Sequence, residues 1–216
     1  MESVLQKLSS RDSLNLERKT FHILIGLLIY SPYLILGNIF PYTQWFLFLL
    51  VFSILSEYLR LKIPYINNLF LENFSILFRK SEATNFSAVI PFIFCMLLTT
   101  YLFPRGICHM AVACQLLADP FASIIGINFG KKVIWDSRTL EGSLGCFGIG
   151  FLISFFGLIY LFHFSFVQSF ILAFAGGIVC SLAELIPIPF IDDNFRVGFF
   201  TGSFYYLVLH FFLRSI

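Results

Sequence analysis

The chain has 216 residues, 58% of them hydrophobic and only 12% charged, with 30 Phe and a mean hydropathy of +0.88. A soluble domain carries about 25% charged residues to solvate its surface. This composition therefore excludes a soluble enzyme, a disordered chain and a disulfide scaffold, and points to a multi-span membrane protein. The net charge of +2 is too small to argue for a nucleic-acid partner. Cys95, Cys108, Cys114, Cys146 and Cys180 all lie in apolar runs without C-x-x-C spacing, so they read as small packing residues.

Residues 1–19 form a polar, amphipathic segment in which Lys7, Arg11, Arg18 and Lys19 alternate with Leu5, Leu8, Leu14 and Leu16. The apolar run that follows is too long for a signal peptide and lacks a small-x-small cleavage site, so the first span is expected to stay as an anchor. Thr20–Phe40 is charge-free and long enough to cross a bilayer core of about 30 Å. Pro41–Leu61 is the second span, with Glu57 and Arg60 at its far end. Ala83–Phe103 is the third, with a kink expected at Pro91. Gly106–Phe129 is the fourth, interrupted by Asp119-Pro120. Gly142–Ala183 is too long for one helix and splits near His163-Phe164-Ser165 into the fifth and sixth. Val197–Leu213 is the seventh. None shows the period-2 alternation of a barrel strand, so the expected fold is all-α, a polytopic membrane helical bundle of about seven transmembrane helices. Residues 20–216 are expected to form a single transmembrane catalytic domain.

Seven spans put Lys7, Arg11, Arg18, Lys19, Arg60, Lys62, Arg79, Lys80, Lys131, Lys132, Arg138 and Arg196 on one side, leaving Arg105 and Arg214 of the 14 basic residues on the other. The positive-inside bias then places the N-terminus in the cytoplasm. Within the loop from Lys62 to Lys80, Ile66, Leu69, Phe70, Phe74, Leu77 and Phe78 fit one helical face, which predicts a helix lying in the interface.

The acids gather on the same side. A carboxylate inside a span is costly and normally faces the bundle interior with a partner, which makes Asp119 and Glu184, the two deepest, functional candidates. Pro120 is expected to break the helix beside Asp119. Gly126 and Gly130 either pack helices or admit a ligand close to the backbone, and Lys131-Lys132 follow at once. An acid, a turn and two cations at one membrane face suit a metal-bound polyphosphate, with carboxylate for Mg²⁺ and Lys for phosphate charge. Arg138 and Glu141-Gly142-Ser143 lie in the next loop, and Asp192-Asp193-Asn194 after the sixth span. Arg18-Lys19-x-x-His22 puts two cations one turn before a histidine at the boundary of the first span.

The ordered set Arg18-Lys19-x-x-His22-x-x-x-Gly26, Glu57-x-x-Arg60, Asp119-Pro-x-Ala122-x-x-x-Gly126-x-x-x-Gly130-Lys131, Glu141-Gly142-Ser143 and Ala183-Glu184 followed by Asp192-Asp193-Asn194 resembles the CTP-dependent polyprenol kinases. That family includes phytol kinase, dolichol kinase and the CTP-using diacylglycerol kinases. One departure is Arg138, where the family usually carries Lys, and the two cations are not interchangeable at a phosphate site. The resemblance implies transfer of the γ-phosphoryl group of CTP, with Mg²⁺, to the hydroxyl of a lipid alcohol at the cytoplasmic face. It implies Asp119, Asp192, Asp193 and Glu184 as metal ligands. Arg18, Lys19, Gly126, Gly130, Lys131, Lys132, Arg138, Glu141, Gly142 and Asn194 would hold the nucleotide. A general base is left open among Asp193, Asp119 and His22.

Phosphatidate cytidylyltransferase has a similar Asp…Gly…Gly-Lys…Glu-Gly segment, but this chain lacks that family's Pro-Gly-His-Gly-Gly stretch. A transporter would place its polar groups near the bilayer midplane in two related halves, and no second copy is present. The expected partners are the bilayer, a nucleotide and a lipid alcohol; a homo-oligomer stays open. The protein is expected to be integral and multi-pass, in a plasma, inner or endoplasmic reticulum membrane that composition does not distinguish.

Overall fold

The structure, a computed structural model, describes residues 16–37, 41–75, 78, 80–135, 138–188 and 191–214. The amphipathic segment before residue 16, with Lys7 and Arg11, lies outside the described residues, as do Leu77, Arg79 and Asp136. The elements are α1 (Leu16–Leu36), α2 (Tyr42–Lys62), α3 (Pro64–Asn73), a 3-10 turn (Lys80–Ala83), α4 (Val89–Leu102), α5 (Arg105–Phe129), β1 (Val133–Trp135), β2 (Arg138–Thr139), α6 (Leu140–Phe162), α7 (Phe166–Leu185) and α8 (Asp193–Arg214). The protein is an all-α, polytopic membrane chain, with one two-stranded antiparallel ribbon as its sole addition among the described residues.

Among the described residues five helices, α1, α2, α5, α6 and α7, are long and apolar enough to cross a membrane. Of the seven expected spans, α4 has only 14 residues. Helix α8 has 22, but Asp193, Asn194 and Arg196 in its first turn lower its hydropathy. The outward faces of the spans carry Leu28 at 66%, Ile35 at 79% and Tyr160 at 70% exposure. Water would penalise so much exposed apolar surface, whereas lipid does not. The chain is an integral, multi-pass membrane protein.

The chain forms two compact units, Met1–Phe94 and Cys95–Ile216. In the first, Trp45 Nε1 donates to the carbonyl of Ile29 at 3.1 Å, tying α2 to α1. Tyr30 stacks on Phe46, and Tyr33 packs against Tyr42. A helix does follow Lys62, α3, begun by Pro64 at a position where its missing N–H is harmless, and it ends at Asn73, short of the expected Phe74 and Phe78. It turns Asn67 and Leu71 inward and leaves Tyr65, Leu69, Phe70 and Phe74 exposed.

Two expectations need correction. Residues 84–88 are not helical, so the third span starts at Val89 and Pro91 falls in the first turn of α4, where a proline costs no hydrogen bond and imposes no kink. Pro120 does not break its helix either. Helix α5 runs through it from Arg105 to Phe129, and the burial of Ala118, Pro120 and Ala122 holds the helical path despite one lost backbone bond.

In the second unit α5 packs on α6 and α8, and α7 packs on the same two helices, closing a four-helix ring. Its core combines Phe103, Ile107, Met110, Leu158, Leu172 and Tyr205 with a patch of small residues that includes Cys114, Ala118, Cys146 and Cys180. All five cysteines are buried and free, as their apolar settings suggested. Helices α6 and α7 cross closely at Gly150, where a Cβ would lie 2.8 Å from the Cβ of Cys180. Small residues are how membrane helices approach when lipid removes the hydrophobic drive to associate.

The division of the long apolar run occurs where its polar residues placed it. His163 takes a left-handed conformation at φ 56° and ends α6, and Phe164 N–H bonds back to Leu158 O at 3.2 Å. Ser165 then caps α7, accepting from Gln168 N, while Gln168 Oε1 accepts from Ser165 N at 3.2 Å.

Candidate functional site

Each unit holds its own polar cluster. In the first, the Glu57-x-x-Arg60 motif occupies the last turns of α2. Arg60 is 1% exposed, yet each of its nitrogens has an acceptor. Nε and Nη2 bond Glu57 at 3.1 and 2.8 Å, Nη1 bonds Asn67 Oδ1 at 2.7 Å, and Nη2 also reaches the carbonyls of Glu82 and Asn85 at 3.0 Å. Glu57 Oε2 accepts from Ser87 N and Glu82 Oε1 from Ala88 N, both at 2.9 Å. This network explains why residues 84–88 leave the helical path: their backbone groups are spent on side chains. In α1, Arg18 is half-buried, Lys19 is buried, and the ring of His22 meets Phe92 edge-on at 4.7 Å.

The second unit gathers most of the expected site residues. Helix α5 ends at Gly130, and the chain returns through the ribbon to α6. Thr139 caps α6 by accepting from Gly142 N at 3.1 Å. Glu141 Oε2 accepts from the backbone N–H groups of Lys131 and Lys132 at 3.0 and 3.4 Å, which fixes the Lys131-Lys132 backbone while both residues stay exposed. Gly126 and Gly142 let α5 and α6 touch backbone to backbone. A Cβ on Gly142 would lie 2.9 Å from Ala122 O and 3.2 Å from Gly126 Cα, and one on Gly130 would meet Thr139. These three glycines are accounted for by close approach of protein to protein.

Arg138, on β2, is a clasp. Its Nη2 bonds Asp193 Oδ1 at 2.7 Å, its Nη1 the carbonyl of Leu185 at 2.6 Å, and its Nε lies 3.3 Å from Glu184 Oε1. It thus joins the ribbon, the end of α7 and the start of α8. Asp193 Oδ1 also receives Nη2 of Arg196, three residues on along α8. Asp192 caps α8: its Oδ1 accepts from Asn194 N at 2.9 Å and its carbonyl from Arg196 N at 3.1 Å. Glu184 lies within the electrostatic reach of Asp119 as well as of Arg138, Asp193 and Arg196, so the half-buried acid of α5 belongs to the same cluster.

The four carboxylates expected to bind metal are not gathered as a ligand set. Among the described residues no three His, Cys, Asp or Glu side chains come together to hold an ion. Glu184 faces Arg138, Asp193 is shared by two guanidiniums, and Asp192 caps a helix. Arg196 is the residue that sequence reasoning passed over, counting it only as a cytoplasmic base. Its spacing of three from Asp193 on a helix was the available signal.

No family model matches the chain, and no solved structure matches it. CTP-dependent diacylglycerol kinase 1 of Saccharomyces cerevisiae is 24% identical over 214 residues, covering 87% of this chain and 71% of the yeast protein. The chain is thus distantly similar to a CTP-dependent lipid kinase.

Proposed function

We propose that the protein is a membrane-embedded lipid kinase that transfers the γ-phosphoryl group of CTP to the hydroxyl of a lipid alcohol at the cytoplasmic face. Phytol, a polyprenol or dolichol, and diacylglycerol are the acceptor class. The observation that carries this reading is the cluster of Asp119, Arg138, Glu184, Asp193 and Arg196 within the second unit's helix bundle. Charged groups are held inside a membrane protein where a charged reaction needs them. The yeast relative supplies the choice of CTP.

Phosphoryl transfer asks the protein mainly for positioning and charge stabilisation. The lipid hydroxyl oxygen forms a bond to the γ-phosphorus, the bond to the β–γ bridging oxygen breaks, CDP departs, and the hydroxyl proton passes to a base. Asp119 suits the base better than Asp193, whose Oδ1 is already engaged by two guanidiniums. The nucleotide is proposed to sit on the second unit. Lys131 and Lys132 would meet its phosphates, and Asn194 and the Glu141-braced loop would shape the nucleotide's seat.

Mg²⁺ is commonly held by one or two carboxylates together with substrate phosphates, so a three-ligand protein site is not required. Asp119 and Asp192 would be such carboxylates. The ion would supply neutralisation of phosphate charge.

The test uses purified protein in mixed micelles with Mg²⁺, a panel of lipid alcohols plus phosphatidate, and CTP labelled at the α or the γ phosphorus. Label from the γ position in an alcohol's lipid extract supports the kinase and names its acceptor. Label from the α position, appearing only with phosphatidate, would make the protein a cytidylyltransferase and overturn the proposal.

A further inference from the structure

The two buried arginines that pair with an acid three residues away, Arg60 and Arg196, are each 1% exposed, but they differ in how they are satisfied. Arg60 has acceptors at all three nitrogens. Among the described residues the Arg196 side chain bonds Asp193 through Nη2 alone, and its buried Nε and Nη1 have no hydrogen-bond partner there. Unmet donors on a buried cation are expensive, and a native structure retains them where an acceptor is to arrive. Nearby on α8, Asn194 Oδ1 is likewise buried without a partner among the described residues. The cluster already spends its own carboxylates: Asp193 is shared with Arg138, and Glu184 faces Arg138.

We infer that Arg196 is an oxyanion-binding residue, whose Nε and Nη1 take non-bridging oxygens of the nucleotide's polyphosphate while Asp193 holds the guanidinium in position. This rests on the nucleotide-binding reading above. A guanidinium suits the task because its planar fork donates in several directions at once, whereas an ammonium acts as a point charge. Arg138 is the weaker candidate, since each of its three nitrogens already faces an acceptor that ties the ribbon to α7 and α8. The exposed Lys131 and Lys132 would attract polyphosphate from solution, and Arg196 would hold it at a buried position.

The experiment compares the full-length protein with Arg196→Lys and Arg196→Gln in mixed micelles. It measures equilibrium binding of CTP with Mg²⁺ and of inorganic triphosphate, the unliganded Tm, and the KM for the lipid alcohol. Both variants are expected to keep the Tm and the lipid KM, while the Kd for CTP and for triphosphate rises about 10-fold or more, the loss of one charge-assisted contact. Arg60→Lys serves as the contrast: it lowers the Tm and leaves the Kd of the folded fraction unchanged. A folded Arg196 variant that binds triphosphate as the wild type does overturns the inference. So does failure of both variants to fold, which makes Arg196 a folding element, and so does a wild type that binds neither ligand. If the wild type binds triphosphate through Arg196 but transfers no label from CTP, the inference stands and the kinase reading falls.

Discussion

Replacing Asp193 by Asn separates a structural acid from a chemical one. Its Oδ1 accepts from Arg138 Nη2 at 2.7 Å and holds the only side-chain hydrogen bond that Arg196 makes among the described residues. Side-chain exposure is 12% for Arg138 and 1% for Arg196, so water replaces little of what is lost. Removing one partner from a buried ion pair costs about 3–5 kcal/mol. The asparagine oxygen still accepts, and Arg138 keeps Leu185 O at 2.6 Å and Glu184 at 3.3 Å, so the expected loss is smaller, about 2–3 kcal/mol. Unfolding by added SDS in mixed micelles, followed by tryptophan fluorescence, measures it. Turnover assayed well below the unfolding range should keep kcat within about tenfold of wild type. The KM for CTP should rise, because Arg196 loses its anchor. A variant as stable as wild type but with kcat abolished would refute this reasoning and make Asp193 the proton acceptor.

Three further outcomes are expected. Asp119→Asn should lower kcat by about 10²-fold or more and change the Mg²⁺ dependence, with unliganded stability retained; full turnover with unchanged Mg²⁺ dependence would remove Asp119 from the chemistry. Gly142→Ala should cost about 1–3 kcal/mol, because the new methyl meets backbone at Ala122 and Gly126 that cannot move aside. Gly148→Ala, with nothing within 4 Å of its Cβ position, should be neutral or gain up to about 1 kcal/mol in helix propensity, and a reversed order would discredit the helix crossing. Arg60→Ala leaves Glu57 buried and uncompensated and should cost about 3–5 kcal/mol, with hydrogen exchange at Ser87 and Ala88 accelerated; unchanged exchange there would show that the network does not hold this segment.

Hydropathy and local cap chemistry determined much of the architecture. Lipid selects uninterrupted apolar runs of fixed length, so the spans are written in consecutive residues and can be counted. The break at His163-Phe164-Ser165 was equally legible, because a left-handed residue and a Ser-x-x-Gln capping box depend on neighbours within one turn. The start of α4 was not legible. Residues 84–88 are drawn off the helical path by Glu57 and Arg60, up to 30 residues away in sequence. The continuity of α5 through Pro120 was decided by packing as well, since local preference alone would end the helix there. The sequence marked Asp119 and Glu184 as costly acids, and Asp193 as a loop candidate, but not their partners. Arg138 reaches Asp193 across 55 residues and closes three elements into one clasp. Only the assembled bundle distinguishes Arg60, with every nitrogen bonded, from Arg196, with two unmet. Their local motifs are alike, an arginine three residues after an acid on a helix. Satisfaction of a guanidinium depends on which distant carbonyls and carboxylates the fold brings to it.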